Sequence, residues 1–163
     1  FPYELAAADI DPANRRAVFS AAQTPGVSLP AFRRLEEGLS RNFPDWSVRV
    51  DPPKTDLPPV AFAAESADMG EVRTQLAADL AWGLQRWGVT EVEVVAFLPS
   101  AAAAEGFNPQ SLGHRRASAL VAELQKAGLT ARVVGEYRAT GNTPADRAAA
   151  VRRADEILIR PAG

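Results

Sequence analysis

An α/β fold, built as an α+β two-layer sandwich with helices on one face of a mixed sheet, is indicated by three features of this 163-residue sequence. From about residue 60 onward, strand and helix signals alternate in the order β-α-β-α-β-α-β. Residues 92–98 are apolar at nearly every position, as a strand covered on both faces requires. Val72, Leu76, Leu80 and Leu84 recur every four residues, and Leu112, Leu120 and Leu124 repeat at multiples of four, so both segments are amphipathic helices. Strands separated by helices favour a sheet with helical cover.

The elements follow in order. Asp11 and Pro12 have the form of a helix cap and first helical residue, which predicts a helix over 12–23; Ser28 and Pro30 open a second one through about Asn42, with Phe32, Leu35 and Leu39 on its buried stripe. Trp46, Val48 and Val50 alternate with polar residues, the period of a half-buried strand. Residues 1–50 are thus expected to form a small α-α-β unit, with Phe32, Leu35, Leu39 and Trp46 buried. The Pro-rich stretch 51–59 can be neither helix interior nor central strand and is expected to be a linker. The main domain is expected over 60–160, with strands at 60–63, 92–98, 131–136 and 156–159. Ser66 or Asp68 caps the first of its helices, and Asn108 with Pro109 opens the next, which Gly128 stops. Thr143, Pro144 and Asp146 open the last helix. The run Ala101–Ala104 is a small-residue loop or the start of a helix.

Composition narrows the functional classes. Eighteen basic against 20 acidic side chains, a formal charge of −2, argue against a nucleic-acid-wrapping or polybasic membrane role, which draws its affinity from clustered Lys and Arg. Without cysteine there is no thiolate chemistry, and a single histidine, His114, rules out a two-His metal site. No nucleotide-binding, zinc-protease or serine-hydrolase motif occurs, so neither an enzyme nor a cofactor is expected. No apolar run is long enough to span a bilayer, and Phe1 in place of Met fits a processed chain, which leaves export open.

Arg116 is the residue with most to say. It stands at the spacing of Leu112, Leu120 and Leu124 on the apolar stripe, while Arg115 points about 100° away. A guanidinium there must meet a carboxylate or snorkel to the rim, and the carboxylate can belong to the protein or to a ligand. Arg147, Arg152 and Arg153 form a second basic group, which a solvated helix with cations at its C-terminal end accounts for. His114 has no acid near it in sequence to orient it as a base. The run Ala101–Ala104, where it forms a loop, leaves the C-terminal end of the central strand, where open sheets commonly bind ligands.

Taken together, Pro59-Val-Ala-Phe62, the strand Glu91-Val-Glu-Val-Val-Ala-Phe97, the helix Leu112-Gly-His-Arg-Arg-Ala-Ser-Ala-Leu120 running to Ala127-Gly-Leu129, and the ending Asn142-Thr-Pro-Ala-Asp-Arg147 with Val151-Arg-Arg-Ala-Asp-Glu-Ile-Leu-Ile159 resemble the C-terminal domain of the outer-membrane protein A family, over about residues 58–160. The resemblance implies a periplasmic, non-enzymatic module of a Gram-negative cell envelope that holds the diaminopimelate of the peptidoglycan stem peptide. In that family an aspartate after the second strand and an arginine of an Arg-Ala pair grip the ligand. Arg116 matches the arginine, Asn108 matches a family asparagine with a one-residue shift, and Arg147 and Arg152 match the closing arginines with a similar shift. Pro99-Ser100-Ala101 stands where the aspartate is expected, and Ser100 brings no negative charge to a ligand ammonium. The expectation is therefore weakened or lost peptidoglycan binding, with contacts to an envelope protein slightly favoured and outer-membrane association through a part outside this chain. A looser resemblance, through the Pro99-Ser100 strand end and the strand Ala131-Arg-Val-Val-Gly-Glu-Tyr-Arg138, is to periplasmic lipoproteins of tight-adherence pilus assembly, and it implies an assembly component of such a pilus or secretion system.

Overall fold

The computed structural model describes residues 5–23, 27–105 and 107–163. The elements are β1 (Leu5–Asp11), β2 (Arg16–Ala21), α1 (Leu29–Asn42), β3 (Ser47–Asp51), β4 (Val60–Ala61), α2 (Gly70–Arg86), β5 (Glu91–Leu98), α3 (Ala101–Glu105), α4 (Leu112–Lys126), β6 (Thr130–Tyr137), α5 (Pro144–Ala154) and β7 (Glu156–Pro161). They make a mixed α/β fold in two compact units. One contains the chain up to Asp56 together with Asp79–Val89, and the other contains Leu57–Ala78 and Thr90–Gly163.

In the first unit, β1 and β2 form an antiparallel hairpin and β3 lies parallel to β2, with α1 as the crossover between them. The expected helix over 12–23 is absent. Asp11 accepts from the Asn14 backbone and side chain, Arg15 takes a left-handed φ of 51°, and the chain turns back into β2. The mistake has a physical cause: an Asp-Pro pair opens a turn as readily as a helix, and Ala17 and Ala21, both buried, share one face of a strand as well as of a helix. The extension is therefore β-β-α-β, not α-α-β. Its core is Ala21, Phe32 and Val50, with Val27, Leu35, Leu39 and Trp82 packed around it. Phe32 is buried as expected, whereas Leu35, Leu39 and Trp46 are only half-buried.

Two carboxylates hold the second half of α2 in this unit. Asp79 is buried and takes both Arg33 (3.0 Å) and Arg34 (2.9 Å). Glu36 accepts from Arg86, from Trp82 Nε1 and from the backbone N–H of Val50. At Gly83 the helix comes so close to Leu29 that a Cβ would stand 2.5 Å from its Cδ1, so only glycine fits without repacking.

The second unit has a four-stranded sheet of order β4-β7-β5-β6, with β5 and β6 parallel and β7 antiparallel to both β4 and β5. All four expected strands are in it. Gly113 of α4 lies against Ala96, which places α4 on the face that Val92, Val94 and Ala96 share, and Ala117, Leu120 and Leu124 are fully buried. On α2, Val72 is 80% exposed, so the expected stripe begins later along that helix. Asn108 and Pro109 do not cap α4. Asn108 makes a turn in which its carbonyl accepts from Ser111, and Ser111 is the cap, its hydroxyl accepting from the His114 N–H. Thr143 and Asp146 form a reciprocal capping box at α5, as the sequence indicates.

Candidate functional site

Arg116 projects from the buried stripe of α4 and is 1% exposed. Its Nε donates to the Ser66 carbonyl (2.7 Å), Nη2 to the Ala63 carbonyl (2.8 Å), and Nη1 to the Ala154 carbonyl (3.2 Å) and to Asp155 Oδ1 (3.0 Å). Its Cζ lies 5.4 Å from the centroid of the Phe62 ring. Four of the five guanidinium hydrogens are thus spent within the protein. The three carbonyls come from the loop between β4 and α2 and from the end of α5, two places where backbone oxygens lack a regular partner. The Phe62 N–H donates to the Asp155 carbonyl (2.9 Å), which ties the same two segments a second time. Asp155 is 48% exposed at its side chain, so the pair is buried at one end and wet at the other.

The other sequence candidates do different work. The Ser100 hydroxyl accepts from the Ala103 N–H at the start of α3, and Asn108 Oδ1 accepts from Gln110 in its turn; both residues are exposed. Arg147 turns back to the Asn142 carbonyl (3.1 Å) on the exposed side of α5, and Arg152 is exposed on its last turn. No bond joins these four to one another or to Arg116 among the described residues. His114 Nδ1 and the Ser118 hydroxyl share a hydrogen bond (3.1 Å), and the imidazole packs on Phe107. No group of three or more metal-ligating side chains occurs among the described residues. No described helix is long and apolar enough to cross a membrane.

The partners of Arg116 were invisible in the sequence. Asp155 is 39 residues away, and a carbonyl oxygen carries no residue-type signature. The one available sign was the stripe itself, since a charge at that spacing must be answered somewhere.

On the sheet face opposite α4, charges form a lattice. Glu93 of β5 takes Arg160 of β7 (3.1 Å) and Arg132 of β6; Glu136 of β6 takes Arg160 (2.9 Å) and Arg138 (3.1 Å). Burial pushes the Glu136 carboxyl up, but the hydrogen bonds and charges of Arg160 and Arg138 outweigh it, and the net shift is downward. Arg160 is raised by its bonds to Glu136 and Glu93.

Fold and site together define a small mixed α/β protein in which the one arginine buried among the described residues is enclosed by its own chain. Compared with known proteins, the chain matches no protein-family model and no curated protein. Among solved structures it is similar to the OmpA-like domain of FopA1 from Francisella tularensis subsp. tularensis SCHU S4, at 14% identity and a TM-score of 0.44, over 64% of this chain and 74% of that one.

Proposed function

We propose that this chain is a non-enzymatic binding or scaffolding module of the bacterial cell envelope, in which the arginine that resembles a peptidoglycan-gripping residue has become an internal strut. Its work is then contact with an envelope protein and not retention of diaminopimelate. The observation that carries the reading is the enclosure of Arg116: three carbonyls and Asp155 occupy the fork a ligand carboxylate would need. Releasing that fork would give up four part-buried hydrogen bonds to a charged group, each worth about 1.5–3 kcal/mol. The absence of a carboxylate at Pro99-Ser100-Ala101 supports the same reading, because a ligand ammonium finds no opposite charge there.

Incubation of the purified chain with peptidoglycan sacculi tests it. Retention no greater than for an unrelated protein is expected. Retention that free diaminopimelate competes away would overturn the reading and make wall binding the function.

A further inference from the structure

A groove of about 650 Å³ opens where the parallel strands β5 and β6 end, between Phe97, Pro99, Tyr137 and Arg138 on one side and Val151 and Arg153 of α5 on the other. None of Arg116, Ser100, Asn108, Arg147 and Arg152 lines it. Tyr137 is 43% exposed and Val151 72%, so apolar surface is left open to water at both walls. The charges are of one sign. Arg138 and Arg153 are at the groove, and no acidic side chain lines it among the described residues.

Both arginines have capacity to spare. Arg138 has its Cζ 4.8 Å from the Phe97 ring centroid and gives its Nε to Glu136, two contacts that hold the guanidinium in place. Arg153 makes no side-chain hydrogen bond or ion pair among the described residues, although its charge helps to lower the Asp146 carboxyl on the same helix. Cations in the last turn of α5 are favourable to the helix, but that alone accounts for neither the apolar walls nor the position of Arg138 at Phe97.

We infer that this groove is a docking site for a protein partner, which lays in it an extended segment carrying carboxylates beside an apolar side chain. The carboxylates meet Arg138 and Arg153, and the apolar side chain covers Tyr137 and Val151. An open, two-walled groove suits a chain laid across it better than a small molecule, which binds in a more enclosed site. The inference deepens the protein-contact reading and rests on it.

The test is a titration of the isotopically labelled full chain with a short synthetic Glu-Leu peptide and with its Lys-Leu counterpart, followed by amide shifts. The acidic peptide is expected to produce saturable shifts at Phe97, Tyr137, Arg138 and Val151 that weaken with added salt, and the basic peptide none. Arg153→Gln should weaken binding roughly three- to tenfold and Arg153→Lys less, with unchanged circular dichroism, since the pair is partly exposed. Val151→Ser provides a second variant that leaves the charges alone and is expected to weaken binding as well. Equal response to both peptides, shifts centred elsewhere, no effect of either substitution, or displacement of the peptide by anionic phospholipid vesicles would each overturn the inference. Sacculus retention competed by diaminopimelate would instead overturn the underlying reading, whatever the peptides do.

Discussion

Arg160 of β7 reaches across β5 to Glu136 of β6, Nη1 to Oε2 at 2.9 Å, and Val95 of the strand between them is fully buried although it lies on the face away from α4. The register explains the path. Arg160 pairs with Glu93 and Glu136 with Phe97, so the bond must pass over Val95. The aliphatic stem of Arg160 thus covers apolar surface while its head closes the charged lattice.

Stem and head make separable contributions. Arg160→Ala is expected to cost about 1–2 kcal/mol, and Arg160→Met, which keeps most of the stem, less than half of that, because an ion pair a third exposed is worth little on its own. Urea denaturation of the two variants measures the difference. Equal losses would assign the whole effect to charge.

The same lattice sets an acid limit. Glu136 has a folded pKa below its unfolded value of about 4.5, so the stabilisation is complete above that pH and is lost as pH falls through the folded pKa. Asp11 and Asp146 are lowered as well, through hydrogen bonds from Asn14 and Thr143, and add to the trend with the same sign. Melting temperature should therefore drop below about pH 4.5, and the drop should be shallower, not abolished, in Glu136→Gln. A variant with the same pH slope as the parent would remove Glu136 from the account.

Gly83 and Leu29 test the packing of the first unit. A Cβ at position 83 would overlap the Leu29 side chain, so Gly83→Ala is expected to destabilise by about 1–3 kcal/mol despite the better helix propensity of alanine. Leu29→Ala opens the room, and the double variant should cost less than the sum of the two single ones. Strict additivity would show that the two residues do not constrain each other.

What the sequence disclosed follows physical lines. The four strands of the second sheet and the capping box at Thr143 were legible because each depends on neighbours within a few residues. The hairpin at residues 11–16 was not, since Asp-Pro and an Ala-x-x-x-Ala spacing satisfy a helix and a strand equally. Asp79 left a fainter trace: it stands three residues after Leu76 on the apolar side of α2, where a carboxylate needs a cation, but nothing local names Arg33 or Arg34, some 45 residues earlier. The place of Arg116 on its stripe could be read, but the identity of its partners could not, because three of the four are backbone oxygens.

Arg116 gives the sharpest expectation, since a strut and a ligand hook respond differently to conservative change. Arg116→Ala removes the largest fully buried side chain together with its four hydrogen bonds, so it is expected to cost about 3–5 kcal/mol and to yield little folded protein. Lysine keeps the charge but offers a single nitrogen with three donors, too few and too compact to reach both the loop at Ala63–Ser66 and the end of α5. Arg116→Lys should accordingly be folded but less stable by about 2 kcal/mol, judged by the two or so hydrogen bonds it cannot replace. Asp155→Asn, at a half-exposed side chain, should cost about 1 kcal/mol or less, because water already screens that end of the pair. Equilibrium denaturation gives all three values, and the order Ala, Lys, Asn is the prediction. If Arg116→Lys were as stable as the parent, the carbonyl contacts would be dispensable and the guanidinium would be free to serve a ligand after all.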